Sequence, residues 1–496
     1  MNRPECWRHR YRLMMAKFRK HSLFLVAALA AMLGNAQAAT SSLPDLGNPA
    51  FAVVSPQQEK QLGADFMRRA RHELNIVQDP ELNQYIQQLG QKLVSHSAAA
   101  GQTFHFFIVD DPTINSFSVP GGYIGVDAGL ILATHSEAEL AAVLSHEIAH
   151  VTQHHVISEI ANAKRMSLPA MAAMLAGLLL AGTGSPNGGM ATVALTSAAV
   201  AQNQLKYSRA VEAQADRIGM RTLNAAGYNA LAMPRFFERL SADTRFDGSI
   251  PAFLSDHPTT SSRIAYLTNE AEKLPRHPPT DNTAFFDAQA EVRVIASGDP
   301  DRLVDYFHKN LESGHYPQKD AEEYGYALAL AKDQRFAPAL AEIDRLAGRH
   351  PHYLLFHLAR AEIEMAAGDY AAALRHYAAL QDGAPDDIAV LHRYASALLE
   401  TGHAPQARRL LKKALRQDPD SASLYKMLAV AAGDTGRLLE SHRALAEHYY
   451  LDGNTGAALE QLAIARRYAG HSYYYLSSVD ARIKQIKEQA ALDKSP

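Results

Sequence analysis

Ser136-Glu137-Ala138-Glu139-Leu140-Ala141-Ala142-Val143-Leu144-Ser145-His146-Glu147-Ile148-Ala149-His150-Val151 decides what kind of chain this is. Ser136 is a helix N-cap residue, and Glu139 stands at the capping-box position three residues on. Leu140, Val143, Leu144, Ile148 and Val151 then recur at helical spacing, which predicts an amphipathic helix. On such a helix residues four apart share a face, so the His146 and His150 imidazoles can bind one metal ion. Glu147 follows the first imidazole and projects toward the open coordination position, where it can take a proton from water.

Two histidines leave a zinc site one protein ligand short. A third histidine six residues beyond His150, with glycine midway, would be one solution, but Gln153 and Val156 stand there. Downstream, Glu212-Ala213-Gln214-Ala215-Asp216 offers two carboxylates one turn apart on a second helix. Glu212 can complete a His₂Glu set, and Asp216 can accept a hydrogen bond from a ligand imidazole and fix its tautomer. His154 and His155 continue the first helix, with His154 nearer the metal face. Neither spacing completes a mononuclear site, so both are expected at the surface or behind a ligand.

Upstream, Ser55-Pro56-Gln57-Gln58 is a capped helix start, and the helical pattern runs to about Val94 with a break near Asp79-Pro80. Phe104–Val109 reads as a strand, and Ser116–Val119 with Tyr123–Val126 flank Pro120-Gly121-Gly122 as a hairpin. Residues 1–38 read as an export signal: Lys17, Arg19 and Lys20 lead into the apolar run Ser22–Leu33, then Ala36-Gln37-Ala38. Cleavage is expected near Ala38-Ala39, with residues 39–54 as a linker. Seven Lys/Arg and one Glu leave with this segment, taking the formal charge from -3 to -9. An acidic chain without a basic block is a poor nucleic-acid binder. Cys6, the only cysteine, leaves too, so no disulfide framework is expected.

Residues 166–201 are almost uncharged: two short apolar runs joined by Gly182–Gly189. A buried hairpin, a hairpin lying on a membrane surface or facing substrate, and spanning helices are the readings, and the runs are short for the last. Beyond about 285 the chain becomes repetitive. Gly368, Gly402 and Gly436 are spaced by 34 residues, as are Pro351, Pro385 and Pro419. That is the tetratricopeptide period, with Gln334 marking a degenerate leading repeat and Gly453–Tyr468 a further one out of phase. At 47% hydrophobic and 496 residues, the chain can fill two or three cores. The expected fold is mostly α: an α+β, zincin-like domain with a small sheet over 55–280, then an α-helical repeat superhelix over 285–490.

His146–His150, Glu212-x-x-x-Asp216 and Asn115-Ser116-Phe117-Ser118-Val119-Pro120-Gly121-Gly122 together resemble the M48 peptidases. An export signal before them and repeats behind resemble the periplasmic beta-barrel assembly-enhancing subfamily. The resemblance implies a zinc metalloendopeptidase near the outer membrane, acting on stalled or misfolded outer-membrane proteins. It implies docking on the beta-barrel assembly machinery through the repeats, and chaperone work in some relatives. The 166–201 runs occupy the place where membrane-bound relatives carry spanning helices, and peripheral membrane contact is expected of them here. Asn115, Ser116 and Phe117 can pair with a substrate backbone as an extended strand, or simply form a turn. For His257-Pro258-Thr259-Thr260-Ser261-Ser262-Arg263 three readings stand: a structural loop, substrate or oxyanion contacts by His257 and Arg263, or reversible capping of the zinc by His257. The rival to an enzyme is a chaperone or repeat scaffold in which proteolysis is latent or incidental.

Overall fold

In a computed structural model the chain is described over residues 54–162, 209–247 and 251–492. The expected export signal, nearly all of the linker and the apolar 166–201 hairpin lie outside the described residues.

Helix α1 (Pro56–Glu73) starts as the sequence predicts, with Ser55 and Gln58 forming a reciprocal capping box. Asp79 caps α2 (Pro80–Ser95), which follows the expected break. The apolar run gives β1 (His105–Val109), and the hairpin gives β2 (Ser116–Val119) and β3 (Tyr123–Asp127). Besides its antiparallel partner β2, β3 pairs with β1 in parallel, so the sheet order is β1-β3-β2 and β2 is an edge. Short α3 (Ala128–Ala133) leads to α4 (Glu137–Thr152), which carries both motif histidines. Ser136 caps α4, but the Glu139 carboxylate bonds to the His135 amide and Arg239 instead of closing the box on Ser136. Then come α5 (His155–Asn162), α6 (Arg209–Ala225), α7 (Ala232–Asp247), α8 (Ala252–Asp256) and α9 (Ser261–Glu272).

One apolar core joins α2, the sheet, α4, α6 and α7, with Phe104, Ile124, Leu144, Leu223 and Phe236 fully or almost fully buried in it. Gly219 lets α6 lie close to α4: a Cβ there would stand 2.9 Å from the Ser145 carbonyl oxygen and 3.0 Å from the His146 backbone. No side chain larger than hydrogen fits that crossing without moving a helix.

Helix α10 (Thr283–Ala296) faces both ways. Phe285, Ala288 and Val292 belong to the core that holds the sheet and α4, while Ala290 and Val294 pack with the first repeat helices. Those are α11 (Pro300–Ser313), α12 (Lys319–Lys332), α13 (Phe336–Arg349) and α14 (Leu354–Ala366). They continue as α15 (Tyr370–Gly383), α16 (Ile388–Glu400), α17 (Ala404–Gln417) and α18 (Ala422–Asp434). The series ends with α19 (Leu438–Leu451), α20 (Thr455–Tyr468) and α21 (Tyr473–Leu492). Gly368, Gly402 and Gly436 turn the chain within three repeats at φ of 83°, 78° and 69°, and Gln334 adopts the same left-handed turn at 61° one period earlier. Gly470, one period after Gly436, extends the series at 58°. Among the described residues no helix is long and apolar enough to cross a membrane.

Candidate functional site

Helix α4 is buried along the whole motif, and His146 and His150 have no exposed surface. Their Nε2 atoms lie 3.0 Å apart. Across the Gly219 crossing, Glu212 on α6 places its carboxylate oxygens 3.5 Å from each of these nitrogens. The two helices therefore bring the three expected ligands together. His257, at the C-terminal end of α8, joins them: its Nδ1 is 3.2 Å from His146 Nε2 and 3.0 Å from Glu212 Oε1. Each of the four can offer one atom to a common centre, all within 4.8 Å of one another.

Converging imidazole nitrogens and a carboxylate make a donor set that suits a divalent cation of the zinc class. The outer atoms are engaged as such a site requires. His146 Nδ1 is 3.1 Å from Asp216 Oδ1, so Asp216 takes its expected place behind the ligand. His150 Nδ1 is 3.1 Å from His155 Nδ1. Burial alone would depress the His146 imidazole, but the hydrogen bonds it donates to the Asp216 and Glu212 carboxylates outweigh it and raise its pKa to about 9. Burial, with His146 and His257 nearby, holds His150 well below the usual histidine value. Burial also works against the Glu212 charge, yet His257 and His146 overcome it and keep the carboxylate ionised.

Glu147 is 1% exposed and accepts a hydrogen bond of 3.0 Å from Ser116 Oγ on the edge strand. The sequence placed Ser116 in a segment for substrate pairing, and its grip on Glu147 was not legible there. His257 Nε2 lies 3.5 Å from the same Glu147 oxygen. Phe117 is half-buried, its ring edge-on to Phe66 and Phe107, and the Asn115 carbonyl accepts from the Asp127 amide. A 3.1 Å bond from the Phe253 amide to the Ile114 carbonyl ties α8 to the start of β2.

Arg263, in the first turn of α9, spreads its guanidinium over the back of the site. Nε and Nη2 each donate to Asp216 at 2.7 Å, Nη2 lies 2.9 Å from Glu212 Oε2, and Nη1 donates to the His257 and Pro258 carbonyls. This locks the 257–263 loop to the helix carrying the carboxylates. The order expected of His154 and His155 is reversed. Helix α4 stops at Thr152 and His154 turns left-handed at φ 52°, so helical spacing does not carry past the motif. His155 is 5% exposed behind His150, while His154 pairs with Glu59 of α1.

Residues 80–271 match the model of peptidase family M48, and residues 364–431 match a tetratricopeptide repeat model. A provisionally named beta-barrel assembly-enhancing protease of Vibrio cholerae serotype O1 is 32% identical over 451 residues, covering 90% of this chain and 92% of that one. The beta-barrel assembly-enhancing protease of Escherichia coli K12 is 28% identical over 95% of this chain and 98% of its own length. The mitochondrial metalloendopeptidase OMA1 of Schizosaccharomyces pombe is 28% identical over 43% of this chain and 61% of its own.

Proposed function

The chain belongs to peptidase family M48, and on that premise we propose that it is a zinc-dependent endopeptidase of the periplasm that degrades misfolded or stalled outer-membrane proteins. The observation that carries this reading is the buried convergence of His146, His150 and Glu212 beside Glu147. Those three side chains would hold the ion, which when bound supplies the positive charge that polarises a scissile carbonyl and the attacking water. Glu147 takes the proton of that water on a carboxylate oxygen and delivers it to the departing amine nitrogen. Ser116 Oγ keeps the carboxylate aimed, and Asp216 keeps the His146 ring in one tautomer. In this reading the outer edge of β2, at Ser116 and Phe117 with Asn115 just before them, would pair with an extended substrate backbone, which gives affinity with little side-chain preference.

Recruitment falls to the repeats, whose partners in this reading are the beta-barrel assembly machinery and its unfolded clients. Export through the 1–38 segment and residence near the outer membrane belong to the same reading, supported by the names of the relatives. A second reading, assembly factor first and protease only when released, is favoured by His257. Standing so close to the candidate ligands, its imidazole would take the position that a substrate carbonyl or water needs, and the resting enzyme would then be latent.

Two variants test both. Glu147→Gln should retain zinc by elemental analysis and lose hydrolysis of an unfolded outer-membrane protein by roughly 10²-fold or more. Hydrolysis at the parental rate would end the enzymatic reading. His257→Ala should retain zinc and cleave faster, and unchanged turnover would remove His257 from the mechanism.

A further inference from the structure

Helix α16, which precedes the Gly402 turn, is committed to the catalytic domain: Arg393 lies 2.6 Å from Asp79, and Gln84 of α2 donates to Asp387 at 2.8 Å. The helices after the glycine turns at 402, 436 and 470 are α17, α19 and α21, and they wall a groove of about 720 Å³ with Tyr425 and Leu428 of α18. Among the described residues, no lining side chain forms a hydrogen bond or ion pair with residues 54–272. Arg408, Lys412, Arg437 and Arg443 face two carboxylates there, and both carboxylates are taken. Glu440 pairs with Arg408 at 2.7 Å and Lys412 at 2.8 Å, and Glu447 accepts from Arg482 Nε at 2.9 Å. Burial works against the Glu440 charge, but Lys412 and Arg408 outweigh it and lower its pKa. Among the described residues Arg437 has no ion-pair partner, and the Arg443 guanidinium meets the neutral Ser478 Oγ at 3.2 Å. On a chain of net formal charge -3, this groove is a local surplus of positive charge.

Its apolar side is as unusual as its charge. Leu438, Tyr468 and Tyr475 line the groove, and Tyr473 and Tyr474 share the first turn of α21 with Tyr475. These five make up more than half of the large apolar side chains exposed among the described residues. The Tyr468 ring is pinned flat, stacked on His442 at 5.5 Å, and His442 is itself held by Gln461 at 2.8 Å. We propose that this groove docks an extended segment of a partner protein in which acidic residues stand among aromatic ones. The inference deepens the recruitment reading of the repeats and rests on it. Arg437 and Arg443 offer forked donors to carboxylates, and the tyrosines with Leu428 and Leu438 receive rings. Exposed tyrosine beside arginine is the composition that carries binding energy at protein interfaces. A planar anionic bilayer spreads its charge more widely than the groove and would meet Glu440 and Glu447 along with the cations. A peptide can set its carboxylates against Arg437 and Arg443 alone.

Zinc-loaded full-length protein and a fluorescein-labelled peptide of glutamate and phenylalanine spaced by serine test this by fluorescence anisotropy. The peptide should bind saturably and more weakly as salt is raised. Its counterpart with lysine for every glutamate should bind about tenfold more weakly or worse. Arg437→Glu combined with Arg443→Glu should reverse that preference, with zinc content, thermal unfolding midpoint and basal peptidase activity unchanged. Tyr468→Ala should weaken the glutamate peptide roughly fivefold or more. Equal binding of the two peptides by the parent, or the parental preference in the double variant, overturns the proposal. So does binding to phosphatidylglycerol vesicles, but to neither peptide, that the double variant loses, since the groove would then meet lipid. Retention of an unfolded outer-membrane protein on immobilised Glu147→Gln chain tests recruitment separately. If the client is retained and the glutamate peptide is not bound, the groove proposal alone falls, and if neither is held, both fall.

Discussion

Ser116 touches no candidate ligand, yet it donates to Glu147, the base of the proposed reaction. A hydrogen bond to a charged acceptor is worth about 1.5–3 kcal/mol. Ser116→Ala should therefore lower kcat for an unfolded client roughly tenfold to a hundredfold, with KM little changed and zinc content intact. A parallel rise in KM would instead assign Ser116 to substrate pairing. Asp127, at the end of β3, is 4% exposed, and burial with Asp111 nearby raises its carboxyl from the ordinary range to about 8. A raised folded-state pKa gives stability that is fully present below the ordinary carboxylate value and is lost as pH rises through about 8. The parent chain should lose on the order of a few kcal/mol across that window from this group, and Asp127→Asn should flatten the decline in chemical denaturation. Equal slopes for the two proteins would rule Asp127 out as the source. Individual residues were legible in the sequence where one helix set their geometry. His146, Glu147 and His150 needed only the four-residue repeat of a helix, and Glu212 and Asp216 repeated that logic on another. Ser116 was not legible in this role, because its partner lies 31 positions away across the fold. His154, not His155, was expected nearer the metal face, because one left-handed residue breaks the periodicity on which that order rested.

Helices α4 and α6 bring the candidate ligands together only if they cross closely, and Gly219 sets how closely. Gly219→Ala would place a methyl group 2.9 Å from the Ser145 carbonyl oxygen, so α6 must move outward and take Glu212 and Asp216 with it. Overpacking of this sort destabilises by about 1–3 kcal/mol. The variant should unfold at lower temperature and release zinc to a chelator at least tenfold faster than the parent. Retention of zinc at the parental rate would mean that the crossing tolerates the extra atom and does not govern the site. Elements whose signals are local were legible in the sequence alone: the Ser55 capping box, the Asp79-Pro80 break, the hairpin and the 34-residue glycine ladder. The parallel pairing of β1 with β3 was not, because nothing in a short apolar run names its neighbour. Helix α10 defeats a boundary drawn by composition, since its two faces serve two cores.

Besides α10, among the described residues the repeats touch the catalytic domain at two seams, through residues 300 to 400 positions apart, a separation at which no sequence period carries information. At one, the Arg393 guanidinium of α16 donates to Asp79 at 2.6 Å and Glu81 at 2.7 Å at the start of α2. At the other, Arg71 of α1 donates to the Leu451 carbonyl at 3.0 Å and the Asp420 carbonyl at 3.2 Å, Arg68 lies over the Tyr450 ring, and Gly453 rests on the Arg68 carbonyl. The far side of α1 meets the active-site shell. Gly63 packs against the Pro120 carbonyl in the β2–β3 turn, and Glu59 pairs with His154 just beyond the metal helix. Helix α1 is thus wedged between a repeat turn and the strand expected to receive substrate, so the repeats can act on that strand through it. Arg71→Ala removes both carbonyl contacts and leaves every candidate ligand in place. Amide hydrogen exchange should then speed up in residues 449–455 and in α1, with zinc content unchanged, and exchange in β2 should rise in step if α1 transmits the loosening. Faster exchange confined to 449–455 would show that the seam opens without reaching the strand, and the repeats would then serve recruitment alone.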